Sequence, residues 1–449
     1  MSPYTWFCSS ILFPLHEALK QHNTVKIRKN MERSQWLPPN EIQRLQLNNL
    51  RAFLSDVQVH VPYYRQLFAE IGFDPASVVN LEQLAELPLL SKVEIRQHLA
   101  DMRADNAIGL SRFNTGGSSG EPLIFYIGKG RVSHDVAAKW RATRWWGVDI
   151  GDPEAVVWGS PIELGAQDKI RLIRDKLLRT HLIPAFEMST EKLDGFIRQI
   201  QQIRPKMLFG YPSALAHIAN HAEKKGVPMN NLGIKVAFVT SERLYDHQRA
   251  KIETVFGCPV ANGYGGRDAG FIAHQCPAGG MHITAEDIIV EIVDKQGRLL
   301  PNGELGEIVT THLATRDFPF IRYRTGDMGI LSDKVCSCGR GLPLLEDIQG
   351  RNTDFVVARD GTVLHGLALI YVVRDLEGVD AFKITQDSLD KTTVQIVKAP
   401  TYRSECEQKI VTEFKKRLGQ DVAIVIEYAD FIPKERSGKF RYVISHVKP

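Results

Sequence analysis

The sequence predicts an α/β protein with a large N-terminal part and a smaller C-terminal part. Between residue 113 and about residue 265, short apolar strands alternate with amphipathic helices, which is typical of βαβ units around a parallel sheet. After Gly350 and Arg351 the alternation begins again on a smaller scale. We therefore expect a boundary at 350–353 and divide the 449 residues into 1–105, 106–350 and 351–449.

Residues 1–105 are expected to form the helical N-terminal part of the large domain. Apolar side chains recur at helical spacing between Ile42 and Val57, and Pro62 opens a further helix with aromatic core contacts. The apolar patch at 4–15 is too short to span a bilayer and has no basic residue before it. We expect this patch to pack on the body of the protein, with weak membrane attachment as the alternative.

The alternating region supplies the predicted parallel sheet. The predicted strands are 155–158, 207–209 and 236–239, and the predicted helices are 192–203, 213–225 and 246–255. Polar turns at 210–213 and 240–243 follow two of these strands, and loops after parallel strands are where such sheets hold ligands. Ser241 and Glu242 are therefore candidate binding residues.

Two further regions complete the predicted architecture. Strands at 288–293, 306–311 and 320–323, separated by turns at 295–298 and 301–303, predict an antiparallel β subdomain. The C-terminal part combines a turn at 359–361, helices near 367–376 and at 403–418, and strands at 393–397 and 422–426. We expect a small α/β domain there.

Composition indicates a soluble protein of a reducing compartment. The chain has 43% hydrophobic and 24% charged residues and a net charge of +4, and it lacks the long basic block typical of a nucleic-acid partner. Because no apolar run approaches twenty residues, we expect a cytoplasmic protein without a transmembrane segment. Six cysteines are too few for a disulfide scaffold of this size, and their clustering is more typical of ligands.

A segment rich in glycine and hydroxyl groups precedes the alternating region. It consists of Thr115, Gly116, Gly117, Ser118, Ser119 and Gly120. Glycines let the backbone approach a ligand and hydroxyls add donors, so the segment suits phosphate oxygens; the alternative is a flexible linker. Strand-like residues after it favour a hairpin or strand edge. Because the Gly-Lys-Ser/Thr ending of a P-loop is absent, a kinase or ATPase of that type is disfavoured, and any lysine that serves the segment lies elsewhere.

Four more short patterns follow this segment in order. They are Tyr264-Gly265-Gly266-Arg267-Asp268, Tyr323-Arg324-Thr325-Gly326-Asp327, Gly350-Arg351-Asn352-Thr353-Asp354 and Ser437-Gly438-Lys439-Phe440-Arg441. As an ordered set they resemble the adenylate-forming superfamily of acyl-CoA synthetases, luciferases and peptide-synthetase adenylation domains, and in particular its phenylacetate–CoA ligase-like branch. Within that branch, 12–17, 61–64, 338–340 and 437–441 resemble the group assigned to capsular polysaccharide biosynthesis.

The resemblance implies a fold, a reaction and a set of roles. The fold is a large adenylate-forming domain, containing the AMP-binding core at 106–350, with a small mobile C-terminal lid at 351–449. In the reaction a carboxylate attacks the α-phosphate of ATP to give an acyl-adenylate and pyrophosphate, and a thiol (coenzyme A) or an amine then takes the acyl group. The implied roles are phosphate binding by 115–120, adenine stacking by Tyr264 beside Gly265, ribose binding by Asp327, nucleotide binding by Arg351, and stabilisation of the developing charge by Lys439.

The chain departs from the family pattern at two positions of interest. Asp268 stands where the magnesium-binding glutamate is usual; it can still bind Mg²⁺ together with phosphates, although its side chain is shorter by one methylene. Thr353 stands where the hinge aspartate is usual, with Asp354 beside it. These departures leave a second hypothesis open, namely a non-catalytic nucleotide- or acyl-adenylate-binding component of a polysaccharide assembly system.

A second candidate site consists of cysteines and a histidine. Cys276 and His282 lie close together in the sequence, and Cys336 and Cys338 flank a single serine. Three thiolates and one imidazole suit a structural, tetrahedral zinc ion. His274 is a rival ligand, and the alternative interpretation is three unrelated cysteines with a surface histidine.

The identity of the acid substrate is not predicted. We expect Tyr211, Pro212, Trp145 and residues near Gly265 to line its pocket. The resemblance implies a small-molecule carboxylic acid and ATP as substrates and Mg²⁺ as a cofactor. A homodimer is compatible with the sequence.

Overall fold

One eleven-stranded sheet organises the large part of the molecule. The structure, a computed structural model, describes residues 2–114, 123–158, 169–185, 187–349, 355–374, 376–432 and 442–447. The strands, numbered in chain order, are Ser111–Asn114 (β1), Ile124–Ile127 (β2), Glu154–Trp158 (β3), Thr180–Pro184 (β4), Glu187–Met188 (β5), Met207–Gly210 (β6), Val236–Thr240 (β7), Val260–Gly266 (β8), Gly270–Gln275 (β9), Met281–Ile283 (β10), Ile288–Val293 (β11), Gly306–His312 (β12), Tyr323–Ser332 (β13), Leu344–Gln349 (β14), Phe355–Val357 (β15), Val363–His365 (β16), Val379–Ser388 (β17), Lys391–Lys398 (β18), Ala423–Tyr428 (β19) and Val443–Ser445 (β20). In the large sheet the strands lie side by side in the order β11-β12-β13-β14-β10-β9-β8-β7-β6-β3-β4.

Helices surround this sheet and open the chain. The α-helices are Pro3–Phe7 (α1), Phe13–Leu19 (α2), Thr24–Ser34 (α3), Pro39–His60 (α4), Pro62–Ile71 (α5), Lys92–Gln97 (α6), Lys129–Trp145 (α7), Lys169–Leu177 (α8), Thr190–Ile203 (α9), Pro212–Lys224 (α10), Asp246–Phe256 (α11), Leu367–Arg374 (α12) and Glu405–Leu418 (α13). A π-helical turn, Cys8–Leu12, joins α1 to α2, and short 3₁₀ turns lie at Pro75–Ser77 and Glu82–Glu86.

The predicted alternation of strands and helices is confirmed. Strands β4, β3, β6, β7 and β8 are all parallel, and α9, α10 and α11 lie between consecutive strands of the set as predicted. Local sequence explains the helix ends: Ser189 accepts a hydrogen bond from the N–H of Lys192 at the start of α9, and Gly257, at φ 64°, ends α11. Apolar residues at helical spacing then bury one face of each helix on the sheet.

The predicted antiparallel β region is confirmed. Because β9 pairs with β8, this antiparallel half continues the parallel half as one sheet. One predicted strand in it, at 320–323, is displaced, because the strand begins only at Tyr323. Arg322 has φ 50°, a backbone angle that an extended strand excludes. Its buried guanidinium binds Glu291 and the carbonyl of Leu87.

The N-terminal helices share the core of the antiparallel half. Leu50, Phe53 and Val57 of α4 are fully buried in one apolar cluster with residues of β11, β12 and β13. Pro62 occupies the first turn of α5, as predicted, and the buried Tyr64 of that helix packs against Phe68. The N-terminal helices and the antiparallel strands therefore share one core, and the division at residue 105 stays a prediction.

The C-terminal residues form a smaller sheet with its own core. Strands β19, β18, β17 and β20 pair in that order, and α12 and α13 pack with them through residues such as Leu369, Ile384 and Phe414. The hairpin β15–β16 adds Glu187–Met188 of the large part as a third strand. The division at 350–353 lies outside the described residues and stays a prediction.

Candidate functional site

The sheet changes direction where β8 meets β9, and the candidate nucleotide residues lie at this seam. The chain turns back through residues 267–269 between the two strands. A Cβ atom added at Gly265 would collide with the carbonyl oxygen of Gly270, so the close approach of β8 and β9 requires glycine at that position. The turn presents Asp268 beside the antiparallel half of the sheet.

Two groups that sequence reasoning missed hold Asp268 in place. The hydroxyl of Tyr323 donates to Oδ2 of Asp268 at 2.7 Å. The buried guanidinium of Arg131 donates to the carbonyls of Arg267 and Asp268, each at 2.9 Å. Arg131 lies on α7, 137 residues before Asp268 in the chain, and arginine side chains are mostly exposed to solvent. The only earlier signal was Tyr323, which opens the Tyr-Arg-Thr-Gly-Asp pattern.

Tyr264 and Asp327, predicted to bind the same nucleotide, are in contact. Tyr264 lies on β8 and Asp327 on β13, and the tyrosine hydroxyl donates to Oδ2 of the aspartate at 3.1 Å. Tyr323 and Asp327 belong to the same strand, and Tyr323 contacts Asp268. One end of the sheet therefore brings together three of the predicted residues from segments that are 55 to 63 residues apart.

Ser241 and Glu242 lie at the carboxyl end of β7, in the parallel half. Ser241 has φ 72°, an uncommon conformation for a residue with a Cβ and one that is frequent at functional turns. The hydroxyl of Ser213, in the first turn of α10, donates to the carboxylate of Glu242. The two polar turns after β6 and β7 are thus joined to each other, at the sheet edge where the sequence predicted them.

Several predicted residues lie outside the described residues. They are Thr115, Gly116, Gly117, Ser118, Ser119, Gly120, Arg351, Thr353, Asp354 and Lys439. The strands that flank the glycine-rich segment pair antiparallel, with Asn114 opposite Ile124, as a hairpin requires. The guanidinium of Arg267 donates to the carbonyl of Asn114 at 3.4 Å. The end of β1 is therefore tied to the turn that carries Asp268.

The predicted metal ligands form one cluster at the other side of the seam. One ligand atom from each of Cys276, His282, Cys336 and Cys338 lies within 4.8 Å of all the others. The Sγ atoms of Cys276 and Cys336 are 3.6 Å apart, and Sγ of Cys338 is 3.2 Å from Nε2 of His282. Ligands at about 2.3 Å (S) and 2.0 Å (N) from a tetrahedral ion are roughly 3.5–3.8 Å from each other, so the S–S distance of 3.6 Å matches such an ion and the S–N distance of 3.2 Å is shorter.

The surroundings of the cluster also suit a metal ion. Nδ1 of His282 lies 3.2 Å from the carbonyl of Leu342 and donates to it, which leaves Nε2 without a proton and directed at Cys338. Without a cation, burial raises the pKa of Cys276 to about 12 and lowers the pKa of His282 to about 4. A divalent ion would reverse the shift at the thiol, because it binds the thiolate.

One expectation near the cluster is wrong. His274, the rival ligand, is outside the group; it is buried between the rings of Phe238 and Phe271, at centroid distances of 5.9 and 5.5 Å. Trp145 lies edge-on to His282, with ring centroids 5.7 Å apart, and its place in the acid pocket stays a prediction. Its indole N–H donates to Gln35.

The other predicted pocket residues lie at the end of the parallel half. Tyr211 and Pro212 are buried where β6 passes into α10. Tyr211 stacks on Trp158 with ring centroids 4.4 Å apart. Trp158, at the end of β3, is thus an aromatic neighbour that sequence reasoning did not identify.

Comparison with known proteins finds two matching family models and similar proteins of about the same length. A model described as AMP-binding enzyme matches residues 179–313, and a model described as CapK C-terminal domain matches residues 356–446. Protein CapK of Staphylococcus aureus is 23% identical over 413 residues, covering 91% of this chain and 90% of that protein. Phenylacetate-coenzyme A ligase of Thermus thermophilus is 24% identical over 439 residues, covering 91% and 97%.

Over 91% of its length the chain is similar to protein CapK and to a phenylacetate-coenzyme A ligase, and the two regions matched by family models are an AMP-binding enzyme domain and a CapK C-terminal domain. A ligase with solved structures has the same fold. 2-Hydroxyisobutyryl-CoA ligase in the thioesterification state has a TM-score of 0.65 at 21% identity, with 92% of this chain and 91% of that chain covered. The same enzyme in the postadenylation state has a TM-score of 0.60 at 20% identity, with the same coverage. The CapK-like chain thus has the predicted α/β fold of adenylate-forming ligases.

Proposed function

We propose that the chain is an ATP-dependent ligase that activates a carboxylic acid as an acyl-adenylate and transfers the acyl group to coenzyme A. The observation that carries the proposal is the pair of carboxylates, Asp268 and Asp327, each held by a tyrosine hydroxyl at one end of the sheet. Asp268 lies in the stretch matched by the AMP-binding enzyme model. Relatives of similar length are named as phenylacetate-coenzyme A ligases, which supports coenzyme A as the acceptor over an amine.

The proposed roles follow from the chemistry of each group. An ionised carboxylate accepts hydrogen bonds only, so Asp327 is suited to the two ribose hydroxyls, and Tyr264 beside it is suited to stack on adenine. Asp268 would hold Mg²⁺ together with phosphate oxygens, its direction fixed by Tyr323 and Arg131. Ser241, Glu242, Gly265 and residues 115–120 would complete the nucleotide site.

Lys439 and Arg351 are the proposed groups of the small C-terminal part. Lys439 would stabilise the negative charge that develops when the carboxylate meets the α-phosphate, and Arg351 would bind the nucleotide near the junction of the two parts. Movement of the small part about residues near 351–353 would then remove Lys439 and admit the acceptor. The enzyme is proposed to be cytoplasmic, and a role in capsule or other polysaccharide synthesis is supported by the likeness to protein CapK.

A structural zinc ion is proposed at the cysteine and histidine cluster. The four ligand atoms lie within 4.8 Å of one another, and three cysteines with one histidine make a complete ligand set for a tetrahedral structural ion. Zinc would then join β9 and β10 to the turn at 336–338, a stabilising role without part in the reaction.

The test is ATP–pyrophosphate exchange over a panel of aliphatic, aromatic and amino acids, followed by thioester formation with coenzyme A. Lys439→Ala is expected to lower exchange at least ~10²-fold, because it removes a group that acts on the transition-state charge. Lys434→Ala, in the same segment, is the matched control and should retain exchange. Tight ATP binding with no exchange on any acid would instead support the non-catalytic alternative, which the departures at Asp268 and Thr353 motivate.

A further inference from the structure

The first nineteen residues present a row of apolar side chains to solvent. Phe7, Ile11, Leu15 and Leu19 follow one another at intervals of four, with 42%, 46%, 58% and 78% of their surface exposed. In a regular α-helix such a row drifts by about 40° at each step. The π-turn Cys8–Leu12, closed by the bond from the N–H of Phe13 to the carbonyl of Cys8, turns less per residue and offsets part of that drift. The result is a nearly straight apolar row.

The opposite side of the same helices is fixed to the body of the protein, as the sequence predicted for this patch. Thr5, Cys8 and Phe13 are buried, and the hydroxyl of Thr5 donates to Asp152 at 2.8 Å. Because this side is anchored, the apolar row cannot turn inward, and its exposure is a property of the folded chain.

A second set of exposed apolar side chains lies on α8, namely Leu172, Ile173 and Leu177. The carbonyl of Leu177 accepts from the hydroxyl of Tyr4 at 2.8 Å, which brings the end of α8 against α1. The row and these three residues are hereafter called the apolar face. So many exposed apolar side chains on neighbouring helices are uncommon on a soluble domain and typically mark a binding surface.

A basic cleft lies beside the apolar face, between α2 and α3. Its volume is about 560 Å³, and Lys26, Lys29 and Arg33 line it together with His22 and Asn30. The three cationic residues are exposed on one face of α3.

Little negative charge opposes this cleft. Residues 2–36 contain five Lys and Arg against two Glu. Glu17 is buried and hydrogen-bonded to Thr24 and to two histidines, and Glu32 is paired with Arg28 and Arg144, each at 2.8 Å. The surface beside the apolar face is therefore positively charged.

We propose that the apolar face and the basic cleft together bind the surface of a membrane that contains anionic lipids. Apolar side chains next to a row of Lys and Arg on short helices are the features of segments that lie in the lipid–water interface. The apolar face would enter the boundary between headgroups and acyl chains, while the cleft accepts the negatively charged headgroups. A free phosphate would use the cleft but leave the apolar face uncovered, so the two features together select a lipid surface. The attachment is peripheral and is independent of the ligase reaction.

The test is co-sedimentation of the full chain with vesicles of phosphatidylcholine alone or with about one third phosphatidylglycerol. Binding is expected only to the anionic vesicles and should weaken as salt rises. Leu15→Ser/Leu19→Ser should lower the apparent affinity at least ~10-fold, because two exposed leucines no longer enter the interface. Ile108→Ser/Val335→Ser, which changes two strongly exposed apolar residues elsewhere, is the matched control and should bind as the wild type does.

A charge-reversed pair tests the basic cleft separately. Lys26→Glu/Lys29→Glu should lower binding more than ~10-fold, since each lysine near an anionic surface contributes about 1 kcal/mol, and Lys295→Glu/Lys409→Glu should not. None of these variants should alter ATP–pyrophosphate exchange in the absence of vesicles. Equal binding of the wild type and the leucine variant, or equal binding to both kinds of vesicle, would overturn the proposal. A wild-type dimer that the leucine variant loses, without vesicle binding, would instead assign the apolar face to a second copy of the chain.

Discussion

The same sheet carries two polar sites that are built in opposite ways. In the carboxylate site, Asp268 and Asp327 each accept a hydrogen bond from a tyrosine hydroxyl, which orients the two carboxylates. In the thiol cluster, Cys276, Cys336 and Cys338 face one another and His282, and Arg340 hydrogen-bonds to Cys338. The carboxylate site suits a ligand that binds reversibly, and the thiol cluster suits a permanently bound ion.

Helix α7 connects the two sites. At its beginning Arg131 holds the turn that carries Asp268, and at its end Trp145 lies against His282. Between them, His134 and Arg141 pair with Asp287 and Glu286, the two residues that precede β11. One helix therefore supports both sites. Comparing variants in the two sites separates effects on catalysis from effects on stability.

The largest expected effect concerns the thiol cluster. Cys336→Ser should abolish binding of zinc, which we expect at about one ion per chain in the wild type, and should lower the thermal midpoint by about 10 °C, because the remaining buried thiols and imidazole lose their common partner. Zinc content by elemental analysis and the midpoint by calorimetry are the measurements. Cys406→Ser, at a partly exposed thiol outside the cluster, is the control. A wild-type protein that holds no zinc and melts like the serine variant would contradict the proposed site.

A smaller effect, on catalysis, is expected at the carboxylate site. Tyr323→Phe removes the hydroxyl that donates to Asp268 at 2.7 Å, a hydrogen bond to a charged group that contributes roughly 1.5–3 kcal/mol. ATP–pyrophosphate exchange should fall by about 10- to 100-fold, and higher Mg²⁺ should partly restore it, since the orientation of Asp268 is what is lost.

A matched control separates this loss from an effect on folding. Tyr64→Phe removes another buried tyrosine hydroxyl of the same core, which contacts the backbone of Pro319 and Ile321 and not Asp268. It should lower stability but leave exchange per folded molecule unchanged. Equal losses of exchange in the two variants would show that Tyr323 acts on the core and not on the carboxylate.

Local patterns in the sequence predicted many of the elements and residues that form the two sites. The features that they missed depend on long-range contacts. Periodicity found the strands and helices of the parallel half, and the spacing of Cys276, His282, Cys336 and Cys338 found the cluster. The role of Arg131 was not accessible, because its partners are 136 and 137 residues away.

Strands were missed where buried positions hold polar residues. Strand β17 was not predicted, and one of its inward positions is Gln386, whose side-chain amide bonds to the N–H and carbonyl of Val357 instead of extending an apolar alternation. Likewise, Trp145 is a residue type that is common in pocket walls, and the sequence does not show that it lies against His282 at the end of α7. Which buried polar groups find partners is decided by the tertiary structure.

The smallest expected effect tests the middle of α7, between the two sites. Nδ1 of His134 lies 2.6 Å from the carboxylate of Asp287. Burial lowers the pKa of His134, but the charge of Asp287 and the hydrogen bond to it outweigh burial, so the net pKa is raised. A histidine with a raised pKa contributes stability that is complete below its unfolded value, near 6.5, and is lost as the pH rises through the folded value.

His134→Asn should therefore lower the free energy of unfolding by about 1 kcal/mol at pH 6 and by less at pH 9, as measured by urea unfolding at both values. His60→Asn, which breaks a solvent-exposed pair with Asp105, is the control and should show a smaller difference between the two pH values. If the cost of His134→Asn were larger at pH 9 than at pH 6, the imidazolium would not be the species that holds Asp287. In that case Arg131 and Arg141, which remain charged at both pH values, would be the groups by which α7 supports the two sites.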